Sequence, residues 1–195
     1  MAQTPGKILG KVTIAKNVIE EVKKSVKNIT DFEKKVEEYM TQNITSFLDV
    51  ILTGAVVLES SDIHIEPEED KVRLRVRIDG VLQNVIFFEE SIYSTLLSRI
   101  KLLSGIKLNV TERPQDGRFT ALLQDLPIEI RTSSLPSERG ESLVMRILNP
   151  KNLIELESLG LRKDLYKTLE MELSKPNGMI AVSGPTGSGK TTTLY

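Results

Sequence analysis

The chain has 195 residues, 39% of them hydrophobic and 27% charged, with a formal net charge of −1 at pH 7. This balance describes a globular sequence with one full core and part of a second, and it excludes bulk disorder and a chain-wide positive field for nucleic acid or anionic lipid. There is no cysteine, no apolar run near the ~18 residues of a membrane span, and no signal-peptide core in residues 1–10, so the expectation is a cytoplasmic protein, without disulfides or direct membrane insertion, that meets any membrane only through a partner.

Residues 1–10 read as a loose terminus. From Val12 to Met40 an apolar stripe of Ile14, Val18, Val22, Val26, Ile29, Phe32, Val36 and Tyr39 has helical period. Asn28-Ile29-Thr30-Asp31 is expected to break it, with Thr30 or Asp31 capping a second helix. This arm, 1–43, reads either as a docking element for a partner or as helices packed on their own domain or on a symmetry mate.

Residues 44–58 carry Ile44, Phe47, Leu48, Ile51, Leu52, Ala55 and Leu58 at helical spacing. Strands are expected at Ile63–Glu66, Val72–Ile78 and Val81–Phe88, the last two joined by an Asp79-Gly80 turn. A helix capped by Ser91 runs to Ser104-Gly105, and strands follow at Arg118–Leu123, Ile128–Ser133 and Ser142–Leu148. Helices on a largely antiparallel sheet make an α+β domain of residues 44–148. Asn149 to Gly160 reads as a linker, after which residues 161–195 hold a helix at Leu161–Leu173, a turn at Lys175-Pro176-Asn177-Gly178 and a short buried strand at Met179–Val182.

That strand leads into Gly184-Pro185-Thr186-Gly187-Ser188-Gly189-Lys190-Thr191-Thr192, which satisfies the phosphate-loop pattern of glycine, four free positions, Gly-Lys and a hydroxyl residue. Glycines let backbone N–H groups curl around phosphate oxygens, Lys190 would reach the β/γ-phosphates, and the Thr191 hydroxyl would ligate Mg²⁺. The ligands implied are ATP and Mg²⁺. Only Thr192, Thr193, Leu194 and Tyr195 follow, so the acidic strand and water-orienting residue that hydrolysis needs are expected beyond this sequence.

Other chemistry-bearing residues have plain readings beside sharp ones. The single His64 sits in an alternating strand, where a structural hydrogen bond is the simpler reading than a pH switch. Arg73, Arg75 and Arg77 share a strand face and suit either a phosphate pocket or pairing with Glu66, Glu68 or Glu69. Asp116-Gly117 reads as a turn first and a site second, and Glu138 and Glu141, between Arg131 and Arg146 in sequence, carry no feature of a general base.

Five strings together resemble the secretion and assembly ATPases of type II secretion and type IV pilus biogenesis: Ser60 to Pro67, Arg75 to Gly80, Arg113 to Arg118, Arg131 through Arg146, and the phosphate loop. The resemblance covers about 44–195. It implies a PAS-like second N-terminal domain joined by a flexible linker to a RecA-like P-loop ATPase domain, assembled as a ring of six that serves inner-membrane platform proteins. It also implies that Arg131 and Arg146 reach the nucleotide phosphates as sensors of γ-phosphate, a role that a planar, permanently charged guanidinium suits. The family's later motifs, and in many members a four-cysteine zinc module, lie C-terminal to the loop. A non-catalytic adaptor of such a machine is the alternative, and a P-loop ATPase acting on nucleic acid is disfavoured by the charge and the scarcity of aromatics.

Overall fold

A computed structural model describes residues 10–149, 156–185, 188, 190 and 193. The chain divides into two units, Met1–Asn149 and Pro150–Tyr195.

The first unit contains strand β1 (Lys11–Thr13), helices α1 (Lys16–Ser25), α2 (Ile29–Met40) and α3 (Ile44–Val57), strands β2 (Asp62–Pro67), β3 (Val72–Ile78) and β4 (Val81–Phe88), helix α4 (Glu90–Ser104), and strands β5 (Gln115–Leu123), β6 (Leu126–Ser137) and β7 (Gly140–Leu148). The strands form one sheet in the order β1-β5-β6-β7-β2-β3-β4, antiparallel except for the parallel β1–β5 pair. Alternation decides which face is covered. Ile63, Ile65, Leu74, Val76, Phe119, Ala121, Ile128, Ile130, Leu143 and Met145 join a single core with the apolar faces of α1 to α4, while the residues between them face away. Phe32, Phe47 and Phe119 are fully buried in that core, each contributing roughly 1.5–3 kcal/mol by leaving water. Phe47 meets Phe88 edge to face at 5.7 Å between ring centroids.

Residues 11–40 differ from their expected form in two respects. Val12 lies in β1, not in a helix, because the edge of β5 offers backbone partners: the Thr120 N–H donates to Gly10 O and the Ile14 N–H to Leu122 O, each at 3.0 Å. The cap of α2 is Asn28, whose side chain accepts from the Asp31 N–H at 2.9 Å, and Asp31 in turn accepts from the Lys27 N–H at 3.2 Å. This reciprocal box satisfies two donors at the helix start, which Thr30 or Asp31 at the cap would not. Val18, Ile19, Val22, Phe32 and Val36 are buried in the common core, so α1 and α2 pack on the sheet of their own unit.

Helix α4 begins after Glu89 rather than at Ser91, and Gly105 closes it in the left-handed conformation. Asp79 and Gly80 both have positive φ, as a two-residue hairpin turn between twisted strands requires.

The second unit contains a short 3-10 turn at Leu156–Leu159 and helix α5 (Lys163–Leu173), none of whose residues is buried. The strand expected at Met179–Val182 is not formed, and Met179 is 90% exposed. A strand needs a neighbour to pair with, and the described residues of this unit include none.

Candidate functional site: an arginine ladder and a phosphate loop

Five neighbouring strands of the first unit set charged side chains in one row. Arg118 lies opposite Arg131 in the β5–β6 pair, and Arg131 lies opposite Arg146 in the β6–β7 pair. Asp62 then lies opposite Arg146 in the β2–β7 pair and opposite Arg77 in the β2–β3 pair. Residues in direct register point to the same face, and adjacent strands are about 4.7–4.9 Å apart. The face is the one the helices leave open, since Phe119, Ile130, Met145, Ile63 and Val76 beside these residues all point into the core.

Arg118, Arg131 and Arg146 line one cavity of about 580 Å³, together with Asp62, Asp116, Gly117 and Ser133. Arg131 gives its Nε–H to Glu129 at 3.2 Å and Arg146 gives its Nε–H to Asp62 at 3.0 Å. Among the described residues the terminal nitrogens of both remain unengaged. Their side chains are 62% and 65% exposed, as suits groups that meet a ligand rather than the core. Asp62 is the anchor. It is 6% exposed, accepts from Ser61 Oγ at 2.8 Å, and pairs with Arg77 Nε at 3.2 Å as well as with Arg146. Burial opposes its ionisation, but the hydrogen bonds from Ser61 and Arg146 and the charges of Arg146 and Arg77 outweigh that and hold its carboxyl below the usual range.

The strands carrying these arginines are tied down from the covered side. Lys101 on α4 meets both carboxylate oxygens of Glu141 on β7, at 2.8 and 2.9 Å, and donates to Val110 O at 3.0 Å. Ser134 donates to Glu141 Oε1 at 2.7 Å, and Tyr93 donates to the Glu141 carbonyl. Gln115 holds the segment before β5 through Lys107 O and Val110 O. At Gly117 a Cβ would fall 2.3 Å from Ser104 O, so only glycine lets β5 lie against the end of α4.

Several expectations are corrected by register. Asp116-Gly117 is strand, not turn, and Asp116 accepts from Ser133 Oγ at 2.6 Å across the β5–β6 pair. Glu138 and Glu141 sit at the β6–β7 turn, away from Arg131 and Arg146, whose acids are Glu129 and Asp62. Arg73 pairs with Glu68 at 2.9 Å and Arg75 with Glu66 Oε1 at 2.7 Å, and neither lines the cavity. His64 Nδ1 lies 3.5 Å from Glu66. Burial lowers its pKa more than Glu66 and Asp62 raise it, so the ring is neutral near pH 7 and the contact is not a salt bridge.

In the second unit Lys190 Nζ donates to Gly184 O and Pro185 O, both at 2.7 Å, and the Ser188 N–H donates to Pro185 O at 3.3 Å. A Cβ at Gly184 would meet Ser188 Oγ at 2.5 Å, so a side chain there would require the Ser188 hydroxyl to turn aside. Lys190 and Thr193 have helical backbone. Thr186, Gly187, Gly189, Thr191 and Thr192 lie outside the described residues. Among the described residues no group of three or more metal-binding side chains occurs, and no helix is long and apolar enough to cross a membrane.

Sequence reasoning singled out Arg131 and Arg146 but neither Arg118 nor Asp62 as site residues. Both lay within strings already recognised as distinctive, and what identifies them is cross-strand register.

Residues 37–195 match the family model described as type II/IV secretion system protein. The type II secretion system protein HxcR of Pseudomonas aeruginosa is 39% identical over 153 residues, 78% of this chain and 33% of that protein. The type IV pilus assembly ATPase TfpB of Acinetobacter baylyi is 42% identical over 156 residues, 79% of this chain and 27% of that one. Among solved structures, the pilus retraction motor PilT with bound ADP superposes with a TM-score of 0.51 at 27% identity, over 74% of this chain and 40% of PilT. The chain spans about a third of the length of the curated relatives it matches. With a match over most of its length, it belongs to the type II/IV secretion system protein family.

Proposed function

We propose that this chain carries the nucleotide-handling region of a cytoplasmic motor ATPase that powers type II secretion or type IV pilus assembly. In this reading 1–43 is a helical arm, 44–148 the PAS-like domain, 149–160 the linker, and 161–195 the start of a RecA-like domain. The whole protein works as a hexameric ring on inner-membrane platform proteins. ATP is held by Gly184 through Thr192, with Lys190 on the β/γ-phosphates and Thr191 on Mg²⁺. Arg131 and Arg146 reach the γ-phosphate.

The observation that carries this reading is the pair Arg131 and Arg146. They stand side by side on an open face, each bonded through Nε to an acid, and both line one cavity. An Nε–H held by a carboxylate fixes the plane of the guanidinium, so the remaining fork meets phosphate oxygens with little further ordering. Gly184 and Lys190 support the loop's part, because a close backbone curl and a lysine folded over it are what phosphate oxygens need. The ADP bound to PilT and the ATPase name of TfpB agree with a nucleotide ligand.

Titration of the chain with ATP and with ADP tests this. Lys190→Ala should weaken both nucleotides, whereas Arg131→Ala or Arg146→Ala should weaken ATP by about tenfold or more and ADP far less, the loss expected for a charge-assisted hydrogen bond to the extra phosphate. Equal loss of ATP and ADP, or no loss of either, would remove the γ-phosphate role.

A further inference from the structure

The ladder holds one more arginine than the pair. Arg118 stands directly opposite Arg131 and lines the same cavity. It is exposed, and no acidic side chain among the described residues pairs with it. Asp116, two residues along the same strand face, has its Oδ1 engaged by Ser133 at 2.6 Å. Three arginines in consecutive register are a costly arrangement, since like charges directly opposite on neighbouring strands repel. Their acids do not cancel this. Glu129 takes Arg131 only by Nε, and Asp62 is divided between Arg146 and Arg77.

We propose that Arg118 is a third anion-binding arginine of this cavity and that the row Arg118, Arg131, Arg146 takes an oligophosphate along its length, Arg118 meeting oxygens beyond the phosphate that Arg131 and Arg146 hold. The inference rests on the reading that Arg131 and Arg146 meet phosphate and extends it by one residue and by the shape of the ligand. Strand spacing sets the geometry. With strand backbones about 4.7–4.9 Å apart, the three arginines arise along a line longer than one phosphate group, so a single phosphate engages two neighbours while a chain of phosphates engages all three. A bound polyanion also relieves the repulsion within the row.

The test uses inorganic tripolyphosphate, pyrophosphate and orthophosphate, titrated calorimetrically into the 195-residue chain carrying Lys190→Ala, so that the phosphate loop contributes least. Tripolyphosphate should bind tightest and orthophosphate weakest. Arg118→Ala should lower tripolyphosphate affinity about tenfold and orthophosphate affinity far less, and Arg118→Lys should restore part of the loss because it returns the charge without the fork. The melting temperature of Arg118→Ala should be unchanged or raised, because the substitution removes repulsion and no ion pair. Unchanged tripolyphosphate affinity in Arg118→Ala, beside a loss in Arg131→Ala or Arg146→Ala, overturns this inference and leaves the two-arginine reading standing. No loss in any of the three overturns both. Weaker binding accompanied by a lowered melting temperature would make Arg118 a structural residue and overturn the inference as well.

Discussion

The two faces of the seven-stranded sheet solve opposite problems. The helix-covered face carries Ile63, Ile65, Leu74, Val76, Phe119, Ile130, Leu143 and Met145, and its chief charged contact is the Lys101–Glu141 pair, in which Lys101 donates to both oxygens of Glu141 and to the Leu108 and Val110 carbonyls. The open face carries Arg118, Arg131, Arg146 and Arg77 around one buried carboxylate, with donors to spare. A charge on the covered face must be fully partnered because desolvation is expensive, whereas charges on the open face keep water and leave groups available for a ligand. On the proposed function, adjacent residues of one strand serve stability and binding separately, and substitutions on the two faces should separate the same way.

The largest effect is expected on the covered face. Phe47→Ala should cost ~3–5 kcal/mol in urea unfolding, because it opens a cavity beside Phe88 in a fully buried site. Lys101→Met should cost ~3 kcal/mol or more by leaving Glu141 buried without its cation. A loss under about 1 kcal/mol there would show that the pair is a surface one in solution. On the open face Arg131→Ala should change unfolding free energy by less than about 0.5 kcal/mol, since its bond to Glu129 is exposed at both ends. On the proposed function, its larger effect is on ATP affinity.

The finest distinction lies in two aspartates whose pKa values move in opposite directions. Asp62 on the open face titrates below the ordinary carboxylate range, so its contribution is fully present above the unfolded pKa and is lost as pH falls toward its folded value. Asp49 on α3 is raised, first by burial, against the opposing bond from the Ala15 N–H and the charge of Arg99, and its Oδ1 has no partner. Its folded state prefers the proton, so its contribution is greatest below the unfolded pKa and declines as pH rises through the folded one. Unfolding measured from pH 3 to pH 8 should therefore show the acid-side loss reduced in Asp62→Asn and the alkaline-side decline reduced in Asp49→Asn. Identical pH profiles for both variants would contradict this assignment.

Much of the fold was legible because period is written in composition. Val72 to Ile78 alternates without fault and is β3, and the stripe from Ile44 to Leu58 became α3 with one residue's difference at its end. The errors came where a partner distant in sequence supplies hydrogen bonds. Val12 fits a helical stripe and yet pairs with β5, and Gln115 to Gly117 became strand because β6 extends far enough to pair with them. Met179 to Val182 has a strand's composition without a neighbour among the described residues of its unit. The candidate site was half legible. Arg131 and Arg146 were named from resemblance, but their adjacency follows from the two-residue turns at Gln124-Asp125 and Glu138-Arg139, which set the register of β5, β6 and β7. Had those turns been placed, Arg118 would have fallen into the row.

The sequence by itself determined the residue types: which stretches alternate, where glycine is required, that arginines recur on strands, and that a phosphate-loop string is present. Those properties are local, because period and backbone sterics act over a few neighbours. Only the tertiary structure decided that Arg118, Arg131, Arg146, Asp62 and Arg77 share one row, that Asp62 divides itself between two of them, and that the opposite face closes over Lys101 and Glu141. Register is set by pairing between strands distant in sequence, 84 residues apart at Arg146 and Asp62, and no local signal along the chain carries that distance.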